Sequence, residues 1–320
     1  MTSVELAPRR WQLVLAFASV YIIWGSTYLA IRFAIATIPP LLMAGVRFLI
    51  AGIILYIWSR ARGAPKPERI HWRSATIVGG LLLLGGNGAV VWAEQRVPSG
   101  LTALVVAIVP VWIALMEWLR PGGRRPGWQV AGGLGLGTLG LVLLASPGDA
   151  ALGARIDLIG AAVLVLATLS WAAGSMKAKH SPLPASPLLG TGMEMIMGGI
   201  LLVIGGTVLG EFGDLHVSLI STKSALSMLY LILFGSLVGF TSYVWLLRVS
   251  SPTRAATYAY VNPVVAVFLG WALASEAITL RTILAAAVIV GGVVLITSAR
   301  SGSPGASAPR TEMQEVLAER

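Results

Sequence analysis

Cysteine is missing from all 320 residues, which removes disulfides and thiolate metal sites from consideration. Histidine is nearly missing: His71, His180 and His216 fall in separate predicted connections, so no metal centre is expected. Charge is scarce as well, at 11% of residues against roughly 25% in soluble domains. There is no Walker A sequence, so the chain carries no ATP engine of its own. No Ser/His/Asp or Cys/His pairing sets a nucleophile beside a base at membrane depth, and neither enzymatic activity nor a cofactor is expected.

What is abundant is apolar. Hydrophobic residues make up 56% of the chain and the mean hydropathy is +0.83, a surface that would not stay in water. Runs long enough to cross about 30 Å of hydrocarbon at about 1.5 Å per residue recur along the chain. They lie near residues 12–34, 41–58, 75–93, 101–118, 129–145, 157–176, 188–210, 225–247, 255–274 and 282–298. The expected fold class is therefore an all-α integral membrane protein of ten transmembrane helices, with the lipid bilayer as its first partner. The opening MTSVELAPRR leads into an apolar stretch from Trp11 to Ile31, too long for a signal-peptide core, so it is expected to stay as the first span.

Orientation follows from the connections. With the N-terminus inside, the inner segments collect seventeen cations: Arg9, Arg10, Arg60, Arg62, Lys66, Arg69, Arg73, Arg120, Arg124, Arg125, Lys177, Lys179, Arg248, Arg254, Arg300, Arg310 and Arg320. The outer segments hold four, Arg96, Arg155, Lys223 and Arg281. That bias puts both termini of a multi-pass cell-membrane protein in the cytoplasm. It also accounts for the net charge of +10 without a nucleic-acid partner. The tail, residues 299–320, has too little apolar surface to order itself and is expected to be disordered.

The chain also repeats itself. Trp24, Pro40, Gly45 and Gly52 recur as Trp171, Pro187, Gly192 and Gly199, each displaced by 147 positions. AIVPVWIAL around Pro110 answers YVNPVVAVF around Pro263. After the cytoplasmic residues 1–10, the halves are 11–146 and 157–298, each with five spans. An odd number of crossings turns the second half upside down relative to the first, the inverted-repeat plan of secondary transporters. Glycine pairs at GxxxG spacing, Gly133/Gly137, Gly206/Gly210 and Gly235/Gly239, suit close helix packing within one bundle or a dimer face, so monomer and homodimer both stay open. Gly135, Gly137 and Gly140 match a dinucleotide fingerprint, but inside a span their amides are already bonded, and the match is rejected.

Polar groups within the spans mark the candidate site. Pro110 and Pro263 each lie inside a span, where proline frees a carbonyl four residues back, and suggest paired bends lining one pathway. Arg47 and Glu194 occupy corresponding positions in the two halves. Intramembrane charge is costly and normally marks a pathway or a partner. Their depths are expected to differ by roughly 12 Å, which argues against a direct salt bridge. Glu194 is the candidate proton-carrying group; Glu94, closing the third span, is a candidate mouth group selecting charged solutes. Trp24, Tyr28, Asn87, Trp171, Tyr243, Tyr258, Tyr260 and Asn262 fall well inside spans, and their polar tips need partners. A cavity with apolar walls and a few polar tips would satisfy them and would suit an amphipathic organic solute.

The stretches WGSTYLAIRFA, VRFLIAG, GNGAVVWAEQRVPSGLTALVVAIVP, SWAAGS and TYAYVNPVVAVFLGWALASE resemble the EamA-domain branch of the drug/metabolite transporter superfamily, in order and over nearly the whole chain. The resemblance implies ten helices in two inverted five-helix repeats in the inner (cytoplasmic) membrane, both ends cytoplasmic, and export of metabolites or amino-acid-like solutes by alternating access. Members commonly carry a glutamate after the proline-bearing helix of each repeat. Glu276 fits in the second copy; the first has Gly123 there, and Glu117 comes too early. The expected function is a secondary active exporter of small solutes with protons as a coupling ion. The alternatives are a passive solute or cation channel, or a multidrug efflux permease.

Overall fold

The structure is a computed structural model that describes residues 9–97, 99–123, 125–145, 157–274 and 280–299. Among them every regular element is helical. Six helices are long and apolar enough to cross a membrane. They are α1 (Arg10–Ala34), α2 (Pro40–Ala61), α3 (Arg69–Ala93), α7 (Leu158–His180), α8 (Pro187–Val208) and α10 (Thr222–Val249). Shorter helices complete the bundle: α4 (Ser99–Val106), α5 (Val109–Leu119), α6 (Trp128–Ala145), α9 (Glu211–Asp214), α11 (Pro252–Ala255), α12 (Tyr258–Ala274) and α13 (Leu280–Ser298).

Helix starts follow local chemistry. Pro40 and Pro187, 147 positions apart, each open a helix, where the fixed φ of proline suits the first turn and its missing N–H goes unused. Side chains cap other starts: Asp157 accepts from the Gly160 N–H (2.7 Å) and Ser221 from the Ser224 N–H (3.1 Å). Glu211 does the same across the bundle, its two oxygens accepting from the Leu41 and Leu42 N–H groups at 3.1 and 2.9 Å. It ties the start of α2 to the end of α8.

Corresponding helices of the two halves cross at glycines. A Cβ at Gly45 would lie 2.7 Å from Val203, and one at Gly52 would lie 2.8 Å from the Gly192 carbonyl. Rising numbers on α2 meet falling numbers on α8, so the two run antiparallel. The same holds for α6 and α13, where a Cβ added at Gly133 would lie 2.7 Å from the Gly292 carbonyl and one at Gly140 would lie 3.1 Å from the Ala285 carbonyl. Without a hydrophobic drive in lipid, such backbone contact is what holds helices together.

The outer surface is apolar: Ile22, Ile57, Leu166 and Val208 are all exposed. In water such a belt would aggregate; in a bilayer it is the lipid-facing wall. Exposed Trp11, Trp58, Trp118 and Trp128 mark the helix ends that also carry Arg10, Arg60, Arg62, Arg120 and Arg125, with Arg62 stacked 4.6 Å over Trp58. Amphipathic indoles beside cations are a membrane-interface pattern.

Two spans depart from simple α-helix. α3 widens to a π-helix over Gly80–Gly88 and α10 over Leu231–Phe240. The expected span 101–118 is not one helix. It breaks at Ala107 and Ile108, and Pro110 sits in the first turn of α5, so the reading of Pro110 as an interior bend is corrected. A proline there removes no helical bond, because that N–H would be unsatisfied anyway. Pro263, by contrast, lies inside α12 and leaves the Ala259 carbonyl without its usual donor.

Candidate functional site

Both halves contribute to one interior cavity enclosing about 680 Å³ of atom-free space out to its open mouth. Four residues of α1 face it, Trp24, Thr27, Tyr28 and Ile31, at the i, i+3, i+4, i+7 spacing that puts side chains on one helix face. α2 supplies Arg47 and Phe48, and the widened part of α3 supplies Gly86 and Asn87. From the second half come Ala167, Thr168 and Trp171 of α7, Gly235 and Phe240 of α10, and Tyr258 and Asn262 of α12.

One wall is an aromatic box. The Trp24 ring centroid lies 5.5 Å from Trp171, 5.1 Å from Tyr243 and 4.8 Å from Tyr258, with edge-to-face geometry to Trp171 and Tyr258. Such pairs add roughly 0.5–1.5 kcal/mol each beyond their buried area. The polar tips are largely used. The Trp24 indole donates to the Gly235 carbonyl at 3.1 Å, the Trp171 indole to the Tyr243 hydroxyl at 3.2 Å, and Ser175 shares a 2.6 Å hydrogen bond with the same hydroxyl. Tyr28 and Asn262 share a side-chain hydrogen bond.

The π segments explain how this wall is built. Widening a turn misaligns carbonyls, which then need donors from elsewhere. Trp24 supplies one to Gly235 in α10, and Ser170 supplies another to Leu81 in α3 at 2.8 Å. Glycine clears the space: a Cβ at Gly86 would lie 2.7 Å from the Trp171 ring, and one at Gly239 would lie 2.5 Å from the Trp24 indole nitrogen.

The charged groups divide into two pairs. Arg47 is buried yet lines the cavity, donating to Asn87 Oδ1 at 3.2 Å with its guanidinium 4.2 Å over the Phe48 ring. Glu94 is not the exposed mouth group the sequence suggests. It is 9% exposed, its two oxygens lack a hydrogen-bond partner, and Arg32 and Arg47 face it electrostatically. Glu194 is fully buried away from the cavity, its backbone carbonyl against Gly79, and the charge facing it is Arg248. Gly52 packs against Gly192, Met195 and Ile196, so Glu194 lies at about the level of Gly52, five residues and roughly 7–8 Å along the axis from Arg47. The two do not pair.

Of the sequence-predicted aromatic and amide residues, Trp24, Tyr28, Asn87, Trp171, Tyr258 and Asn262 come together on the cavity wall. Tyr243 packs behind it, its ring against Trp24 and Trp171. Tyr260 is a correction: it belongs to a separate cluster with Leu141, Ile289 and Val293, where its ring lies over Gly137. Residues two apart on a helix point to opposite sides, so Tyr258 and Tyr260 could not share one wall. Glu276 and the tail residues 300–320 lie outside the described residues. Ser175, Thr168 and Arg32 were missed from sequence. Ser175 was findable, since it stands four residues after Trp171 and so shares its face.

Two halves of one chain, each matched separately to one family, decide the matter. Residues 11–146 and 158–298 both match the EamA-like transporter family. The chain belongs to that family and is a membrane transporter. It is 40% identical over 284 residues to the inner membrane transporter YedA of Escherichia coli (strain K12), covering 88% of this chain and 89% of that one. It is 27% identical to the transporter YoaV of Bacillus subtilis (strain 168), over 89% of this chain and 97% of YoaV. A crystal structure with 18% sequence identity superposes with a TM-score of 0.72, covering 90% of this chain and 97% of that chain, and so has the same fold.

Proposed function

We propose that this transporter is a secondary active exporter of small amphipathic solutes. It works by alternating access between two inverted five-helix repeats, with both termini in the cytoplasm. The observation that carries this reading is the cavity itself, walled by α1 and α3 from one half and α7, α10 and α12 from the other. A solute held there touches both repeats, so rocking one against the other would change its exposure from one side to the other. Aromatic and aliphatic walls with a few polar tips favour a partly apolar organic solute over a hydrated ion. Glu194, buried where α3 and α8 meet and faced by Arg248, is the group assigned to proton coupling. The protein acts as a monomer, its glycine pairs being used within the chain at α6–α13 and α1–α10.

Counterflow in proteoliposomes tests the reading. Saturable uptake of a labelled solute, accelerated at least about fivefold by unlabelled solute on the opposite side, is the expected result. Uptake that runs only downhill and does not saturate would mean a channel and would sink the exporter.

A further inference from the structure

We infer that the solute carries an anionic head, a carboxylate or similar monoanion, which binds Arg47 inside the cavity while its apolar or aromatic body rests against Trp24, Trp171 and Tyr258. The inference rests on the reading of this cavity as the solute site. Among the described residues, Arg47 is the one charged side chain on the cavity wall, and it is 4% exposed. A guanidinium offers five N–H donors in a fixed fork. Here one of its terminal nitrogens donates to Asn87 Oδ1, while Nε has no hydrogen-bond partner.

Burying a cation so incompletely satisfied is costly unless an anion completes it. Glu94 is the nearest internal candidate and does not do so. It faces Arg47 electrostatically, but no ion pair joins them within 4 Å and both its oxygens lack a hydrogen-bond partner. Arg32 draws the same carboxylate. Glu94 also stands off the cavity wall. The chamber thus presents an under-used fork and an aromatic box, with the protein's own acid held back from both. A solute carboxylate would supply the missing acceptors, since the planar fork matches a carboxylate with two parallel hydrogen bonds. Asn262 Oδ1, also without a partner, belongs to a residue of the same cavity lining and offers the solute one acceptor. A cationic solute could stack in the aromatic box, but it would share a small chamber with a buried arginine, a like-charge contact.

The test uses three probes of one shape: 3-phenylpropanoate, its primary amide, and 3-phenylpropylamine. Binding to purified full-length protein in nanodiscs is read by quenching of the cavity tryptophans and by the shift in Tm. The carboxylate is expected to bind at least tenfold tighter than the amide, with the amine weakest. Arg47→Gln should bring carboxylate and amide within about twofold of each other, and Arg47→Lys should keep part of the preference. Equal binding of acid and amide, tighter binding of the amine, no binding by any of the three, or a carboxylate preference that survives Arg47→Gln would each overturn the anion site. Should Arg47→Gln fail to fold, Arg47→Lys decides: an undiminished preference would place the anion elsewhere. Counterflow with neutral or cationic solutes only would leave the exporter standing and remove this inference alone.

Discussion

Arg47 and Glu194 stand 147 positions apart on the second helix of each half, and each is faced by an opposite charge at the end of its own third helix. In the first half the cation is on α2 and the acid, Glu94, follows α3. In the second half the signs are exchanged: the acid is on α8 and the cation, Arg248, closes α10. Their surroundings differ as well. Arg47 opens on the cavity, whereas Glu194 is sealed among backbone contacts near Gly79. A duplicated scaffold has kept a place for buried charge twice while giving it opposite sign and opposite access. The comparison separates two jobs: the pair that meets the cavity can meet a solute, and the pair that does not can only change its own charge balance.

Breaking the seam that keeps the pairs apart should have the largest effect. The α2–α8 crossing leaves no room at Gly192, where a Cβ would lie 2.9 Å from the Tyr56 amide nitrogen and 3.0 Å from the Gly52 carbonyl. Both are backbone atoms and cannot turn aside as a side-chain tip would. Gly192→Leu is expected to cost about 3 kcal/mol or to prevent folding, at the upper end for an overpacked contact. Gly213→Ala, at a position with nothing within 4 Å of the added atom, is the control. Thermal unfolding and the yield of monodisperse protein provide the measure, and equal behaviour of the two variants would mean the seam does not organise the bundle.

Neutralising one acid of each pair sharpens the contrast. Glu94→Gln removes the negative charge that faces Arg47 without bonding it, so the field at Arg47 becomes more positive and binding of an anionic solute should tighten severalfold while gradient-driven transport persists. Glu194→Gln leaves the cavity wall untouched, so binding and exchange should continue, but transport should lose its dependence on a pH gradient. Equilibrium binding and exchange are measured beside uptake driven by an imposed gradient. If the gradient response of Glu194→Gln matches the parent protein, Glu194 drops out of the coupling and the division of labour with it.

Much of this was legible in the residues, and the limits have physical causes. The all-helical, membrane-spanning character is written in apolar run length, and the doubling in the recurrence of Trp24, Pro40, Gly45 and Gly52. The cavity wall was legible because an indole, phenol or amide deep in lipid needs a partner, and Trp24, Tyr28, Asn87, Trp171, Tyr258 and Asn262 all lie well inside apolar runs. The depth argument between Arg47 and Glu194 separated them by roughly 12 Å where the glycine contacts give about 7–8 Å, because helix rise fixes position along one helix and not how far two helices slide past each other. Helix irregularity was not legible. A π segment leaves no mark in apolar periodicity, and the break before Pro110 looks in sequence just like an interior kink at Pro110. The burial of Glu94 was hidden for a related reason, since a charge at a span's end is read as interfacial until neighbouring helices are placed over it.

Tyr260 offers the smallest effect and a clean check on which face of α12 matters. Tyr258 and Asn262 are four residues apart and share the cavity; Tyr260 lies between them on the reverse face, where its ring fills the space over Gly137 beside Ile289. Tyr260→Phe keeps that ring and its packing, so solute exchange should stay within about twofold of the parent and stability within about 1 kcal/mol, the usual scale of one hydroxyl's net contribution. Tyr258→Phe, although chemically the same change, removes a phenol from the cavity wall and should weaken solute binding measurably more. Matched kinetics of the two variants distinguish the faces: a larger loss from Tyr260→Phe than from Tyr258→Phe would put the solute on the α6–α13 side of the helix and move the site away from the aromatic box.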